Sequence, residues 1–201
     1  TVVFAFICSI SFAKIWRINN VAGVTADFTT VQLAHDNPAV VNGDTLHIEP
    51  SITSYGTLTM TKRLTIISIG NFLAANPGVE YSPVTGTFSS LTINNVSASG
   101  SVFHCNMSSN ISITNANNLR FERCRIENAM SINNSSNNIL LNNYLYYVTF
   151  SSSNSNVVSN NIISEIEFKW FHEYEVKHLL ALRLLYSDVK AFLKKYNKIN
   201  T

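Results

Sequence analysis

The sequence predicts an all-β fold, a right-handed single-stranded parallel β-helix, and three observations support this prediction. A triplet of one apolar residue, one Ser, Thr or Glu and a second apolar residue occurs five times at a nearly constant interval. A second marker, an asparagine followed by a short apolar strand, repeats with a similar interval. Asparagine is also concentrated between residues 106 and 161, beside regularly placed aliphatic residues. Together they indicate about five or more coil turns of 18–20 residues.

The two markers set the length of one turn. The triplet begins at Leu91, Ile111, Met130, Val148 and Ile166, so successive starts are 20, 19, 18 and 18 residues apart. The second marker begins at Asn118, Asn138 and Asn156. Because one turn cannot bury its apolar face alone, stacked turns about 4.8 Å apart must share a core. We expect two inward columns, Leu119, Ile139 and Val157, and Ile113, Ile132 and Phe150.

The excess of asparagine has a structural interpretation. Asn115, Asn134 and Ser152 each follow a predicted strand, where the backbone must turn a corner. Asparagine tolerates the left-handed backbone conformation, and its side chain can bond to the turn above or below. We therefore expect ladders of polar side chains at the corners rather than catalytic asparagines.

The segments outside the repeats complete a tripartite domain plan. Residues 1–13, an apolar run followed by small residues, are predicted to be the remnant of a secretory signal peptide, with a buried N-terminal strand as the alternative. Residues 14–168 form the β-helix domain, with a short helix within 27–41 and early strands over 45–48, 58–60 and 64–67. Residues 169–201 have helical periodicity and are either a C-terminal cap or a non-native tail.

Three early segments carry a family resemblance: residues 43–50 (GDTLHIEP), 55–60 (YGTLTM) and 62–68 (KRLTIIS). With them, residues 14–168 resemble the pectate-lyase-like superfamily, specifically the secreted bacterial right-handed β-helix repeat proteins. The resemblance implies the fold and secretion to the extracellular space or cell surface. It does not choose an activity, since such proteins include lyases, hydrolases and adhesins.

The composition argues against a nucleic-acid partner. Only 13% of residues are charged and the net charge is +2, so the chain lacks the basic field of a nucleic-acid binder. The N-terminal apolar run is too short to span a bilayer, and no transmembrane segment is expected in the mature chain. A polysaccharide or cell-surface glycan is the expected partner.

Acidic residues are scarce where a solenoid enzyme would need them. From Leu91 to Glu165 the only acids are Glu122, Glu127 and Glu165. A lyase needs carboxylates for Ca²⁺ and a basic residue for the proton, and a hydrolase needs two acids. Candidate catalytic residues are Arg120, Glu122 and Arg125, predicted to point outward and to stack on Leu140, Asn142 and Leu145 one turn later; a surface ion-pair patch is the favoured interpretation.

Two cysteines and three aromatic residues complete the candidates. Cys105 and Cys124 lie one turn apart, so they form either a disulfide or a buried thiol ladder. Tyr146, Tyr147 and Trp16 are candidate exposed aromatics for sugar binding. The histidines share no period, and no metal site is expected.

The sequence leaves three hypotheses of function. The first is a secreted non-catalytic surface, adhesive or carbohydrate-contacting module without a cofactor. The second is a polysaccharide lyase or glycoside hydrolase, either degenerate or truncated before its catalytic turns, which would use Ca²⁺ only if it is a lyase. The third is a trimeric phage-type tail component.

Overall fold

Successive segments of the chain pair in parallel, because each coil turn returns to the same two faces. The computed structural model describes residues 13–68 and 84–169, which form a parallel β-helix of about 6 turns. Its strands form one sheet of seven strands (sheet A) and one of eight (sheet B). The predicted fold class is confirmed for the described residues.

The strands are short, as the repeat length requires. Sheet A contains β1 (Ile15–Ile18), β2 (Thr45–Ile48), β4 (Thr65–Ser68), β7 (Val102–His104), β10 (Arg120–Glu122), β12 (Ile139–Leu141) and β14 (Val157–Ser159). The main path of sheet B contains β3 (Leu58–Met60), β6 (Leu91–Ile93), β9 (Ile111–Thr114), β11 (Arg125–Asn133), β13 (Tyr144–Ser151) and β15 (Ile162–Lys169). Two further strands, β5 (Thr87–Phe88) and β8 (Asn106–Met107), pair with each other, and β8 pairs with β11.

The predicted N-terminal helix is present but shorter than residues 27–41. Helix α1 (Val31–Asp36) begins after Thr30, whose hydroxyl accepts a hydrogen bond from Leu33 N. Its side chains complete the edge of β3, the terminal strand of sheet B. Thr59 N donates to Gln32 Oε1 (2.7 Å) and Thr61 N donates to His35 Nε2 (3.0 Å). The helix thus satisfies backbone groups that an open sheet edge would leave unpaired.

One of the two predicted core columns is confirmed; in the other, Leu119 is buried as predicted, but Ile139 and Val157 are each one residue away from the inward position. Ile113, Ile132 and Phe150 face one another across adjacent turns and are buried. Ile139 and Val157, in contrast, face outward, and Val157 is 52% exposed. The inward residues of that sheet include Phe103 and Phe121, whose rings stack with centroids 4.4 Å apart, followed by Leu140 and Val158.

The predicted corner ladder is present. Asn115, Asn134 and Ser152 have positive φ angles of 57°, 45° and 48°, and Asn134 Nδ2 donates to Asn115 Oδ1. Two further corners use the same left-handed conformation, at Asn118, Asn137 and Ser155 and at Arg123, Asn142 and Asn160. In the later turns each left-handed residue is followed by a buried or half-buried polar side chain that accepts a hydrogen bond from a backbone N–H of the preceding turn. These side chains are Ser135 and Ser153, Asn138 and Asn156, and Asn143 and Asn161.

The first strand β1 is joined to the second turn by a buried carboxylate. Asp44 is almost fully buried and accepts hydrogen bonds from Lys14 N, Trp16 Nε1 and Val41 N. Burial raises the pKa of Asp44, but these three donors outweigh burial and lower the pKa below its ordinary value. The carboxylate therefore helps to fix β1 against β2.

The predicted terminal segments fall almost wholly outside the described residues. The signal-peptide prediction concerns residues 1–13, of which only Ala13 is described. Strand β15 reaches Lys169, whereas the predicted cap or non-native tail occupies residues 169–201. Both remain predictions.

Candidate functional site

The candidate polar residues lie on the outer surface of two strands that follow one another in the chain, β10 of sheet A and β11 of sheet B. On β10, Arg120 and Glu122 alternate with buried Phe121 and form an ion pair, with Arg120 Nη2 2.8 Å from Glu122 Oε2. The hydrogen bond from Arg120 lowers the pKa of Glu122, in spite of an opposing effect of burial. A carboxylate held ionised by a neighbour in its own strand is a poor general acid at neutral pH.

The start of β11 and the facing part of β13 form a second cluster. Arg125 Nε lies 2.9 Å from Glu127 Oε1, and the Arg125 guanidinium carbon lies 5.2 Å from the centre of the Tyr144 ring. This is cation–π geometry. Next to it, Tyr146 exposes 55% of its surface. We call Arg125, Glu127, Tyr144 and Tyr146, all on sheet B, the arginine–tyrosine surface.

A β-bulge places Tyr146 in this cluster. Ile126 faces Leu145 and Ala129 faces Tyr147, so two residues of β11, Glu127 and Asn128, lie opposite Tyr146 alone. A bulge bends its strand and re-aims nearby side chains, and bulges often adjoin functional sites.

The predicted stacking partners are wrong by one residue each. The structure pairs Arg120 with Ile139, Glu122 with Leu141 and Arg125 with Tyr144. The predicted partners Leu140 and Leu145 point inward and are buried, and Asn142 occupies a left-handed corner. The observed partners also bring no acid to the candidate residues, so adjacent turns supply no second carboxylate there.

The described residues do not assemble a metal site. Within 13–68 and 84–169, no group of three or more His, Cys, Asp or Glu side chains is placed to hold a metal ion. In the same ranges, no helix has the length and apolar character to cross a membrane.

Cys105 and Cys124 occupy one buried column as thiols. Both are fully buried, and Cys124 Sγ donates to Phe103 O at 3.1 Å. Burial raises the pKa of the Cys105 thiol well above its ordinary value, and the neighbouring Cys124 adds to the shift. The next residues in this column are Asn143 and Asn161, so thiols in one half and amides in the other fill the same corner.

The three candidate aromatic residues have different environments. Trp16 was expected to be exposed, but only 9% of it is accessible, because its ring packs against Phe28 and its indole N–H bonds to Asp44. Tyr147 is half-buried and its hydroxyl donates to Glu167, which raises the Tyr147 pKa to about 12. Tyr146 is the candidate available for stacking. Sequence reasoning missed Tyr144, which only the pairing of β11 with β13 brings beneath Arg125.

An open groove of about 480 Å³ lies over the corner between the two sheets. It is lined by Val96, Asn115, Asn117, Asn118, Asn134, Ser136 and Asn137. Several of its polar groups bond to one another across turns, including Asn134 with Asn115 and Ser136 N with Asn117 Oδ1. The groove is therefore built from the groups that hold the corner together.

Known proteins give no further guide to this surface. No protein-family model, curated protein or solved structure matches the chain. Function must accordingly be argued from the outer surface itself.

Proposed function

We propose that the chain is a secreted, non-catalytic module that contacts carbohydrate through the arginine–tyrosine surface. The observation that carries the proposal is the exposed ring of Tyr146 beside the Arg125–Glu127 pair and the Arg125–Tyr144 contact. An aromatic ring covers the apolar face of a sugar, while guanidinium and carboxylate groups bond to its hydroxyls.

Export from the cell is part of this proposal and is supported by the apolar, small-residue pattern of residues 1–13. Detection of the chain in the culture medium of the producing cells would support export, and retention inside the cell would contradict it.

The alternative of a lyase or hydrolase receives no support from the described surface. The two carboxylates near the candidate basic residues, Glu122 and Glu127, are each paired with an arginine two positions away in the same strand. A hydrolase would need one of them protonated and a second acid across the substrate.

The test is retention of the purified chain by a panel of immobilised neutral and acidic polysaccharides, with release of reducing ends and unsaturated products measured with and without Ca²⁺. We expect retention without release, and we expect Tyr146→Ala to weaken binding about tenfold, which corresponds to about 1.4 kcal/mol. Ile52→Ala removes another exposed side chain, 92% accessible, and should leave binding unchanged. Failure of every polysaccharide to retain folded protein would refute the proposal, and product release would favour the enzyme.

A further inference from the structure

The outer face of sheet B carries a regular array of short polar side chains. In β3 and its flanks, Thr57, Thr59 and Thr61 are exposed and alternate with buried Leu58 and Met60. The same alternation continues through the next four strands of the main path, except that Thr149 in β13 faces outward but is only 8% exposed. The outward residues are Ser90, Thr92 and Asn94, then Asn110, Ser112 and Thr114, then Ala129, Ser131 and Asn133, then Tyr147, Thr149 and Ser151. We call all of these, from Thr57 to Ser151, the hydroxyl face.

The array is in register along the coil. Thr59 faces Thr92, which faces Ser112, and the column continues through Ser131 to Thr149. Parallel strands lie about 4.8 Å apart, and alternate residues in a strand lie about 6.6 Å apart. Thr149 Oγ1 also donates to Ser131 Oγ at 3.1 Å, so one step of the column is a hydrogen-bonded ladder. The face therefore presents a two-dimensional lattice of hydrogen-bonding groups.

The hydroxyl face carries no formal charge. Every position in it holds Thr, Ser or Asn except Ala129 and Tyr147. The outer face of sheet A differs, since Arg17, His47 and the Arg120–Glu122 pair lie on it. The alternation of a sheet demands only that outward residues be polar, and the high β-propensity of threonine accounts for part of the array. Surfaces of soluble proteins ordinarily carry charged residues of both signs, so the fold alone does not require a face of this length without a charge.

We propose that the hydroxyl face binds a neutral, unbranched polysaccharide in an extended conformation, lying across the strands with one sugar unit per coil turn. The inference rests on the proposed function, in which the chain contacts carbohydrate. Serine and threonine hydroxyls and asparagine amides both donate and accept hydrogen bonds, as sugar hydroxyls do. One sugar of an extended chain is about as long as the separation of two strands.

Charge complementarity favours a neutral ligand over an acidic one. The hydroxyl face offers no cation for a uronate, and the next turn on the same face adds Glu165 and Glu167. An anionic polymer would lose hydration without gaining an ion pair and would be repelled at that end. A neutral polymer exchanges its bonds with water for bonds to the face.

The hydroxyl face also leads to the arginine–tyrosine surface. Tyr147 belongs to the hydroxyl face, and the adjacent residue Tyr146 belongs to the arginine–tyrosine surface. A chain lying along the coil would therefore reach the exposed Tyr146 ring at β13. Because each sugar contributes a weak contact, affinity should rise with chain length until the turns of the face are occupied.

The experiment uses the full chain and neutral β-linked gluco- and manno-oligosaccharides from the disaccharide to the hexasaccharide, with polygalacturonate as the acidic comparison. Ser131→Lys places a charge and a long side chain in the middle of the hydroxyl face. Ser159→Lys makes the same change at an outward position of β14 in sheet A and is the matched control. If Ser131→Lys unfolds the chain, Ser112→Glu at an exposed position of the same column replaces it.

We expect affinity to increase with length, Ser131→Lys to weaken hexasaccharide binding about tenfold, and Ser159→Lys to change it by less than about twofold. Binding that is lost in Tyr146→Ala but unchanged in Ser131→Lys would overturn the inference and leave the proposed function standing. Preference for polygalacturonate would overturn the inference as well. No binding of any saccharide would refute both the inference and the proposed function. Ice adsorption that is abolished by Ser131→Lys would also overturn the inference, because the hydroxyl face would then bind a lattice of water molecules.

Discussion

Replacement of Asn143 by alanine tests the internal polar ladder that holds the coil corners. Asn143 is only 2% exposed, and its Oδ1 accepts a hydrogen bond from Cys124 N at 2.8 Å. Its Nδ2 donates to Phe121 O and to Asn161 Oδ1, both at 2.9 Å. Alanine removes all three bonds from the dry interior.

The magnitude follows from what is left unpaired. The Cys124 N–H loses its side-chain acceptor, and a buried donor without a partner costs about 1–3 kcal/mol. The Phe121 carbonyl loses one bond, and a small cavity is added, so we expect a total loss of about 2–4 kcal/mol. A domain is typically stable by only about 5–15 kcal/mol, so the loss is a large fraction. Asn143→Leu should not restore stability, because the Cys124 N–H still lacks an acceptor.

Urea unfolding followed by circular dichroism measures the change. Asn154→Ala is the matched control, since it makes the same substitution at an exposed corner residue and should shift stability by less than about 0.5 kcal/mol. If Asn143→Ala cost no more than Asn154→Ala, the internal ladder would contribute nothing to stability and the reasoning would be wrong.

Three further predictions concern other parts of the coil. Gly86→Ala places a Cβ 2.7 Å from Ile48 O and 2.9 Å from Glu49 O, which are backbone atoms of another turn, so we expect a loss of about 1–3 kcal/mol in urea unfolding; unchanged stability would contradict the packing. Hydrogen bonds, foremost that from Arg17, lower the pKa of Glu49, and the donors to Asp44 lower the pKa of Asp44. The stability that these two carboxylates confer is therefore present above their ordinary pKa values of 4.5 and 3.8, and it is lost as the pH falls. The melting temperature should accordingly decrease below about pH 4, less steeply in Asp44→Asn. Comparison of the absorbance titrations of the chain and of Tyr147→Phe should show that Tyr147 ionises near pH 12, and Glu167→Gln should lower this value; an unchanged value would exclude the Tyr147–Glu167 bond as its cause.

The fold could be predicted because two independent sequence markers give the same period. The register of one core column could not be predicted. Asparagine has two roles in each late turn: one residue adopts the left-handed conformation and the next one bonds inside the coil. Asn137 and Asn138 are such a pair, and residue type does not tell them apart. The second marker equates Asn118, a corner residue, with Asn138, an internal residue. For this reason it predicts Ile139 and Val157 in the core, although both face outward.

The candidate site could be predicted in part. Alternation around Phe121 and Cys124 is local, so the outward positions of Arg120, Glu122 and Arg125 follow from the sequence. The contact of Arg125 with Tyr144 depends on the pairing of β11 with β13, and the position of Tyr146 depends on a β-bulge; no local sequence pattern predicts either. The burial of Trp16 could not be predicted for a similar reason, since Asp44, which accepts the hydrogen bond of its indole N–H, lies in the next turn.

The polar residues of the coil divide into those that the fold needs and those that it does not. Asn138, Asn143, Asn161 and Ser153 point inward and bond to the backbone of an adjacent turn, so their replacement should cost stability. Two members of the central column of the hydroxyl face, Thr59 and Ser112, are exposed, and there the fold requires only a polar residue. Changes at these two positions should leave unfolding nearly unaffected and alter binding alone. A variant such as Ser112→Glu that kept its melting temperature and lost saccharide affinity would thus separate selection for a ligand from selection for the fold.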